Sequence, residues 1–273
     1  MMASMGSRKL TQARTLTKRQ REILLDQAQE IIYDAWEAVQ PKRRIVLAHK
    51  ALEVSPDCAD AYVILAQAAA EPADELELYR KGVQAGERAL GKKTFESEEG
   101  NFWGILETRP YMRARGGLAQ CLWESGQHDE ALAHYRALLK LNPNDNQGNR
   151  YLLASCLIKL RYHEELAALL KQYDEDISAN WSWTRALMAF REHGDVDESR
   201  NLLTTALETN SHVPDYLLDR KKLPRRLPDY VGFGDETEAV SYAAEDLEAW
   251  KATVGALAWL ADRVGVKRPL LLN

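Results

Sequence analysis

The stretch with the densest chemical promise is Gly86-Glu87-Arg88-Ala89-Leu90-Gly91-Lys92-Lys93-Thr94. Glycines followed by a lysine and a hydroxyl are what a phosphate-cradling loop uses: backbone N–H groups and Lys hold phosphate oxygens, and the Ser or Thr directly after the Lys holds magnesium. Here Lys93 stands where that hydroxyl must be, and the preceding residues carry helical periodicity where a strand is needed, so the stretch reads as a helix end with a glycine stop. Residues 142–148 have the alternating polar side chains of a calcium loop. Such a loop needs Gly at its sixth and Glu at its twelfth position, where this chain has Gln147 and Leu153. The six histidines show no His-Glu-x-x-His spacing, and His128, His163 and His193 recur near expected turns. No Gly-x-Ser-x-Gly elbow is present. Three cysteines, Cys58, Cys121 and Cys156, are odd in number and lack Cys-x-x-Cys spacing, which argues against a disulfide framework and against zinc. Two of the three fall inside amphipathic helices, where a thiol serves as a small buried hydrophobe, and a reducing compartment is expected. No metal, cofactor or catalytic group is expected.

Two charged regions keep other readings open. Glu98, Glu99, Glu107 and Arg109 lie within residues 91–109 and would serve an enzyme if they converged in a cleft. Arg220, Lys221, Lys222, Arg225 and Arg226 would suit a nucleic acid or an anionic lipid, although Asp219 and Asp229 flank them and a solvated crossing is the plainer reading. The first 21 residues hold Arg8, Lys9, Arg14, Lys18, Arg19 and Arg21 and no acid. That composition is shared with transit peptides, but the apolar content is low and a basic tail is expected over residues 1–19. The net charge of −5 gives the whole chain no attraction for nucleic acid. No apolar run approaches the length of a membrane span, and a cytoplasmic location is expected.

The elements that must position any site are helices. Residues 112–145 read MRARGGLAQCLWESGQHDEALAHYRALLKLNPND. Leu118, Ala119 and Leu122 line a first helix, Gly126 stops it, Asp129 and Glu130 open a second near its positive end, and Ala131, Tyr135 and Leu138 line that one before Pro143 closes the unit. This is the 34-residue tetratricopeptide pattern. A step of 34 residues finds Leu152, Leu153, Cys156 and Leu160 followed by Tyr162, Leu166 and Leu169. A second step finds Trp183, Ala186, Leu187 and Phe190, then Gly194, Leu203 and Ala206. Upstream, beyond an insert near residues 91–109, Tyr62, Leu65 and Ala66 pair with Tyr79, Val83 and Leu90, and Ile32, Ala35 and Trp36 pair with Ile45, Ala48 and Leu52. The expectation is an all-α, tetratricopeptide-type helical-hairpin solenoid of about five pairs over residues 20–213. An irregular crossing over 214–234, one capping helix over 235–265 with Ala239, Tyr242, Ala243, Leu247, Trp250, Val254, Leu257 and Leu260 on its buried face, and a tail over 266–273 complete the chain.

The segment NSHVPDYLLDRKKL, the residues Gly234, Asp235, Glu238, Ala239, Tyr242 and Ala243, and the run WKATVGAL resemble the C-terminal part of the suppressor-of-tumorigenicity-seven family. The resemblance covers residues 210–257 and implies helical repeats without a settled activity. Animal members of that family are membrane-associated, a property that a chain without a span does not inherit. The run GNFWGILETRPYMRARGGLAQ is similar to bacterial relatives, which implies a bacterial member.

In a 34-residue frame, groove positions fall on the first helix of each pair. They select Arg113, Gln120 and Trp123, then Gln147 and Arg150, then Trp181, Thr184 and Met188, with Arg185 beside them. Aromatic, Met and Arg side chains dominate interface energies, so a peptide or another protein is the expected partner and an interaction scaffold the expected function. Trp123 and Trp181 fit the inter-repeat core equally well. The lysine and asparagine clamp of chaperone-binding tetratricopeptide proteins is missing, since Gly116, Gln120, Tyr151 and Trp181 occupy its places and only Arg185 has the right charge.

Overall fold

The computed structural model describes residues 16–265; the tail expected over 266–273 and residues 1–15 of the tail expected over 1–19 lie outside the described residues, whereas Lys18 and Arg19 already belong to the first helix. The described residues form helices joined by turns and irregular stretches, without strand, and divide into two compact units between Pro143 and Asn144.

The first unit holds three hairpins: α1 (Lys18–Glu37) with α2 (Pro41–Val54), α3 (Ala59–Gln67) with α4 (Pro72–Ser97), and α5 (Arg109–Glu124) with α6 (His128–Leu141). Local chemistry sets the boundaries. Thr17 and Gln20 form a reciprocal capping box at the start of α1, which satisfies N–H groups that the first turn leaves free. Proline stands in the first turn of α2, α4 and α5, where its missing N–H costs nothing. Gly126 ends the α5 hairpin turn at φ +79°, a conformation that side chains with a Cβ resist. Ala28, Ile32 and Ala35 of α1 bury completely against Ala48 and Ala51 of α2, and α3 packs on both α2 and α5. Each hairpin thus covers a face that its neighbour cannot bury alone.

The insert is more helical than its sequence implies. Helix α4 continues past a non-helical Gly91 as far as Ser97, and two short 3₁₀ turns, Phe102–Gly104 and Leu106–Thr108, lead into α5. Phe95, Phe102 and Tyr111 meet with ring centroids 5.0–6.3 Å apart, so an aromatic cluster roots the segment.

The second unit holds α7 (Asn149–Leu160) with α8 (His163–Gln172) and α9 (Ala179–His193) with α10 (Asp197–Thr209), then the short α11 (Val213–Leu217), α12 (Glu236–Lys251) and α13 (Ala256–Arg263). Asp235 caps α12, its carboxylate accepting the N–H groups of Thr237 and Glu238 at 2.7 and 3.2 Å. The single terminal helix expected over 235–265 is two helices, because the chain turns at Gly255 with φ +83°. Val254, expected on the buried face, is 95% exposed at that break. Tyr162 is likewise exposed at the start of α8. The crossing contains α11, so the expected irregular stretch over 214–234 is helical at its beginning.

Candidate functional site

In the first unit, the first helices of the three hairpins are tied by one polar ladder. The carboxylate of Asp60, in the first turn of α3, is wholly buried. It accepts Nε and Nη2 of Arg113 from α5 at 2.8 and 2.5 Å, and Nε2 of Gln29 from α1 at 3.1 Å. A buried carboxylate is tolerable when paired and hydrogen-bonded, and the positive end of α3 adds to its stabilisation. Arg113, expected as a groove anchor, is therefore committed to this ladder.

Beside the ladder lies a pocket of about 390 Å³, lined by Leu25, Asp26, Gln29, Glu30 and Tyr33 of α1, by Gly86, Ala89 and Leu90 of α4, and by Leu106, Glu107, Pro110 and Tyr111 of the insert and α5, with Asp57 and Ala59 at the start of α3. Tyr33 and Leu106 are 48% and 61% exposed. Asp26, Glu30 and Glu107 make no ion pair or side-chain hydrogen bond among the described residues, whereas Asp57 is held by Nε of Arg88 at 2.7 Å. The sequence reading missed this pocket, because α1 and the insert are brought together only by folding. Gln120 is exposed and donates to Glu124. Trp123 is half-buried against the His128 ring, 4.3 Å between centroids, at the hairpin end.

In the second unit the corresponding side is covered. Helix α12 packs against α7 and α9, the first helices of their pairs. Trp183 meets Trp250 and Tyr242 at 5.9 and 6.4 Å, and Nε1 of Trp250 donates to the Tyr242 hydroxyl at 2.8 Å. Buried Glu238 accepts the Ala179 N–H at 2.8 Å and, on its other oxygen, the Asn210 side-chain amide and the Gly234 N–H. Arg191 donates to the Ile158 carbonyl near the end of α7 and to the Ala249 carbonyl and Thr253 hydroxyl near the end of α12, where a cation is favourable.

That arrangement corrects several expected groove residues. Trp181 and Thr184 are buried, at 0% and 1% exposure, and belong to the core; Trp181 packs edge-on against Tyr151 and Tyr173. Arg150 is clasped by Asp176 at 2.7 Å and Asp145 at 3.3 Å and lies over the Tyr151 ring. Burial pushes the Asp176 carboxyl up, but hydrogen bonds from Ser178, then Tyr151 and Arg150, outweigh it and leave the group below the usual carboxylate range. Arg185 donates to the Leu170 carbonyl at 2.9 Å near the end of α8. Gln147 and Met188 are half-buried.

Among the described residues, the charged groups of the competing readings do not converge. Glu99 pairs with Lys140 at 2.9 Å, Glu98 accepts the Ser97 hydroxyl, Arg109 donates to the Trp103 carbonyl, and Glu107 lines the α1 pocket, so these four groups point to separate places. In the basic crossing Lys221 pairs with Glu236 and Asp215, Lys222 with Asp219 and Arg226 with Asp229. The calcium-like turn is a helix entry in which Asp145 accepts the Asn149 and Arg150 N–H groups. All three cysteines are buried, and burial pushes each thiol up to about 12, away from the reactive thiolate. His134 is driven down to about 4, chiefly by burial. Among the described residues no helix is long and apolar enough to cross a membrane.

The fold and its polar ladders define an all-helical protein of consecutive tetratricopeptide-type hairpins. Its family follows from sequence: the profile of the ST7 protein family matches residues 21–264, and the chain belongs to that family. It is similar to the suppressor of tumorigenicity 7 protein-like of Bos taurus, 30% identical over 256 residues covering 83% of this chain and 45% of the relative. It is similar also to the protein ST7 homolog of Drosophila melanogaster, 29% identical over 260 residues, 84% of this chain and 47% of the relative. The chain thus spans about half the length of the curated relatives it matches. These relatives are animal proteins and say nothing of the bacterial source implied by residues 100–120. Among solved structures, the crystal structure of YrrB, a TPR protein with an unusual peptide-binding site, superposes with a TM-score of 0.45 at 17% identity over 68% of this chain and 81% of that one.

Proposed function

We propose that this chain is a non-catalytic interaction scaffold that captures a peptide or partner segment on the first-helix side of the first unit, across α1, α3 and α5. The observation that carries the reading is a contrast between units. In the second, α12 already lies against α7 and α9. In the first, no further helix among that unit's described residues packs across the first helices, and that side bears the pocket with exposed Tyr33 and Leu106. Helical-repeat arrays bind partners on extended surfaces, and an aromatic anchor beside an apolar wall is the usual core of such a contact.

The experiment is capture of partners from the source lysate by the full chain and by a Tyr33→Ala/Leu106→Asp variant. Both positions are exposed, so the variant should melt within about 0.5 kcal/mol per site of the parent. Its capture should fall roughly thirty-fold, the equivalent of losing one anchoring side chain. Undiminished capture by a stable variant would remove the pocket from the interface.

A further inference from the structure

The α1 pocket is not isolated. A second pocket, of about 290 Å³, adjoins it and shares Leu25, Asp57, Ala89 and Leu90. The two together form one groove along α1, and their ends carry opposite charge. At the far end Lys18 pairs with Glu22 and Lys92 with Glu96, which leaves Arg21 and Lys93 without an ion pair or side-chain hydrogen bond among the described residues. Asp26, Glu30 and Glu107 line the near end, equally unpaired. Between them the floor is apolar, with Leu25 and Leu90, and the one central carboxylate, Asp57, is neutralised by Arg88.

From this pattern we propose that the groove holds an extended peptide segment carrying an acidic side chain and a Lys or Arg on either side of apolar residues. This rests on the interaction reading above and narrows its ligand. The charge pattern of the groove also sets the spacing. Arg21 and Glu30 lie nine helical steps apart on α1, a rise of about 13 Å and half a turn around the helix, so an extended peptide needs at least about four residues to reach from one to the other. A wholly basic peptide would meet Arg21 and Lys93, and a wholly acidic one would meet Glu30 and Glu107. The groove therefore selects against both, since like charges brought together weaken the wrong partner.

The test is a set of double-mutant cycles on the full chain. The probe is the blocked, fluorescein-labelled peptide Ser-Asp-Leu-Ala-Leu-Arg-Ser, read by fluorescence anisotropy. Replacing its arginine by alanine should weaken binding to the parent about ten-fold but leave binding to a Glu30→Gln/Glu107→Gln chain nearly unchanged. Replacing its aspartate by alanine should likewise weaken binding to the parent but leave binding to an Arg21→Gln/Lys93→Gln chain nearly unchanged. Circular dichroism of each variant should match the parent, as these side chains are exposed. Equal losses in every chain, or no binding of the probe at about 1 mM, would overturn the proposal. So would self-association of the parent that the same variants abolish, because a second copy would then be the occupant. Lysate capture that depends on Tyr33 and Leu106 without charge coupling would sink this ligand class and leave the scaffold reading standing.

Discussion

Arg113 grips Asp60 at two points, Nε to Oδ1 at 2.8 Å and Nη2 to Oδ2 at 2.5 Å, although the two residues are 53 apart in sequence. The partners are unequal. Asp60 has no exposed side-chain surface, while Arg113 keeps 32% of its own. Removing the arginine strands a carboxylate in the interior, with only Gln29 left to meet it. Removing the aspartate frees a guanidinium that can turn to water. Arg113→Ala should therefore cost about 3–5 kcal/mol, the range for an uncompensated buried charge, and Asp60→Ala visibly less, about 1–3 kcal/mol. Urea unfolding of both variants decides it; an Arg113→Ala chain as stable as the parent would show that the ladder contributes nothing to the fold.

Gly117 and Tyr79 set a second constraint in the same unit. A Cβ added at Gly117 would run into the Tyr79 ring, well inside contact distance, and that ring is 6% exposed. With no room for the ring to retreat, Gly117→Ala should destabilise by about 1–3 kcal/mol, the usual cost of overpacking a filled core. A Tyr79→Leu/Gly117→Ala chain should regain part of that loss, because the two sites are in contact and their effects are not additive. Thermal melts of the two singles and the double give the coupling directly.

The repeat grammar was legible because it is local. Leu118, Leu122 and Leu138 bury as their spacing demands, and Gly126 and Gly194 adopt φ +79° and +73° at the hairpin turns. Periodicity reports which stripe of a helix is buried, not what buries it. That is why Tyr242, Trp250 and Trp183 were each readable on an apolar face while their contact across α12 and α9 was not. The same limit explains Trp181 and Arg150: their positions in the 34-residue frame fit a groove, but Tyr151, Tyr173 and Asp176 close around them. Asp60 was the missed signal with a physical marker, an acid set between Ala59 and Ala61 in an otherwise apolar run. Asp26, Glu30 and Glu107 carry no such marker, since exposed acids on a helix and a loop are commonplace until folding brings them to one pocket.

Arg191 joins two helix ends that no sequence pattern connects. Its guanidinium makes four hydrogen bonds, to Ile158, Ala249 and, twice, to Thr253. A lysine ammonium cannot reproduce that planar fork. Arg191→Lys should therefore lose about 1–3 kcal/mol in unfolding of the second unit, and Arg191→Ala more. If hydrogen exchange in α12 were unchanged in Arg191→Ala, the arginine would not be what holds that helix against α7 and α9.

Asp246 makes the stability of the second unit depend on pH. It sits on the buried side of α12 at 1% exposure, and neither carboxyl oxygen finds a close hydrogen-bond partner. Burial pushes its pKa up to about 7, against the weaker opposing pull of Lys159 and Ser155 on α7, while Glu245 beside it on α12 pushes the same way. In the unfolded chain an aspartate titrates near 4. The folded state then binds the extra proton between these two values, so this group favours folding most below about pH 4 and loses that contribution as the pH climbs to about 7. Asp246→Asn keeps the shape and removes the proton. It should be the more stable chain at pH 8, by on the order of a few kcal/mol, and the gap should narrow below pH 7 and close only near pH 4. Paired urea titrations at pH 5, 6.5 and 8 measure the gap directly. A gap that does not change with pH would mean that Asp246 stays ionised in the fold, with the Lys159 ammonium neutralising it.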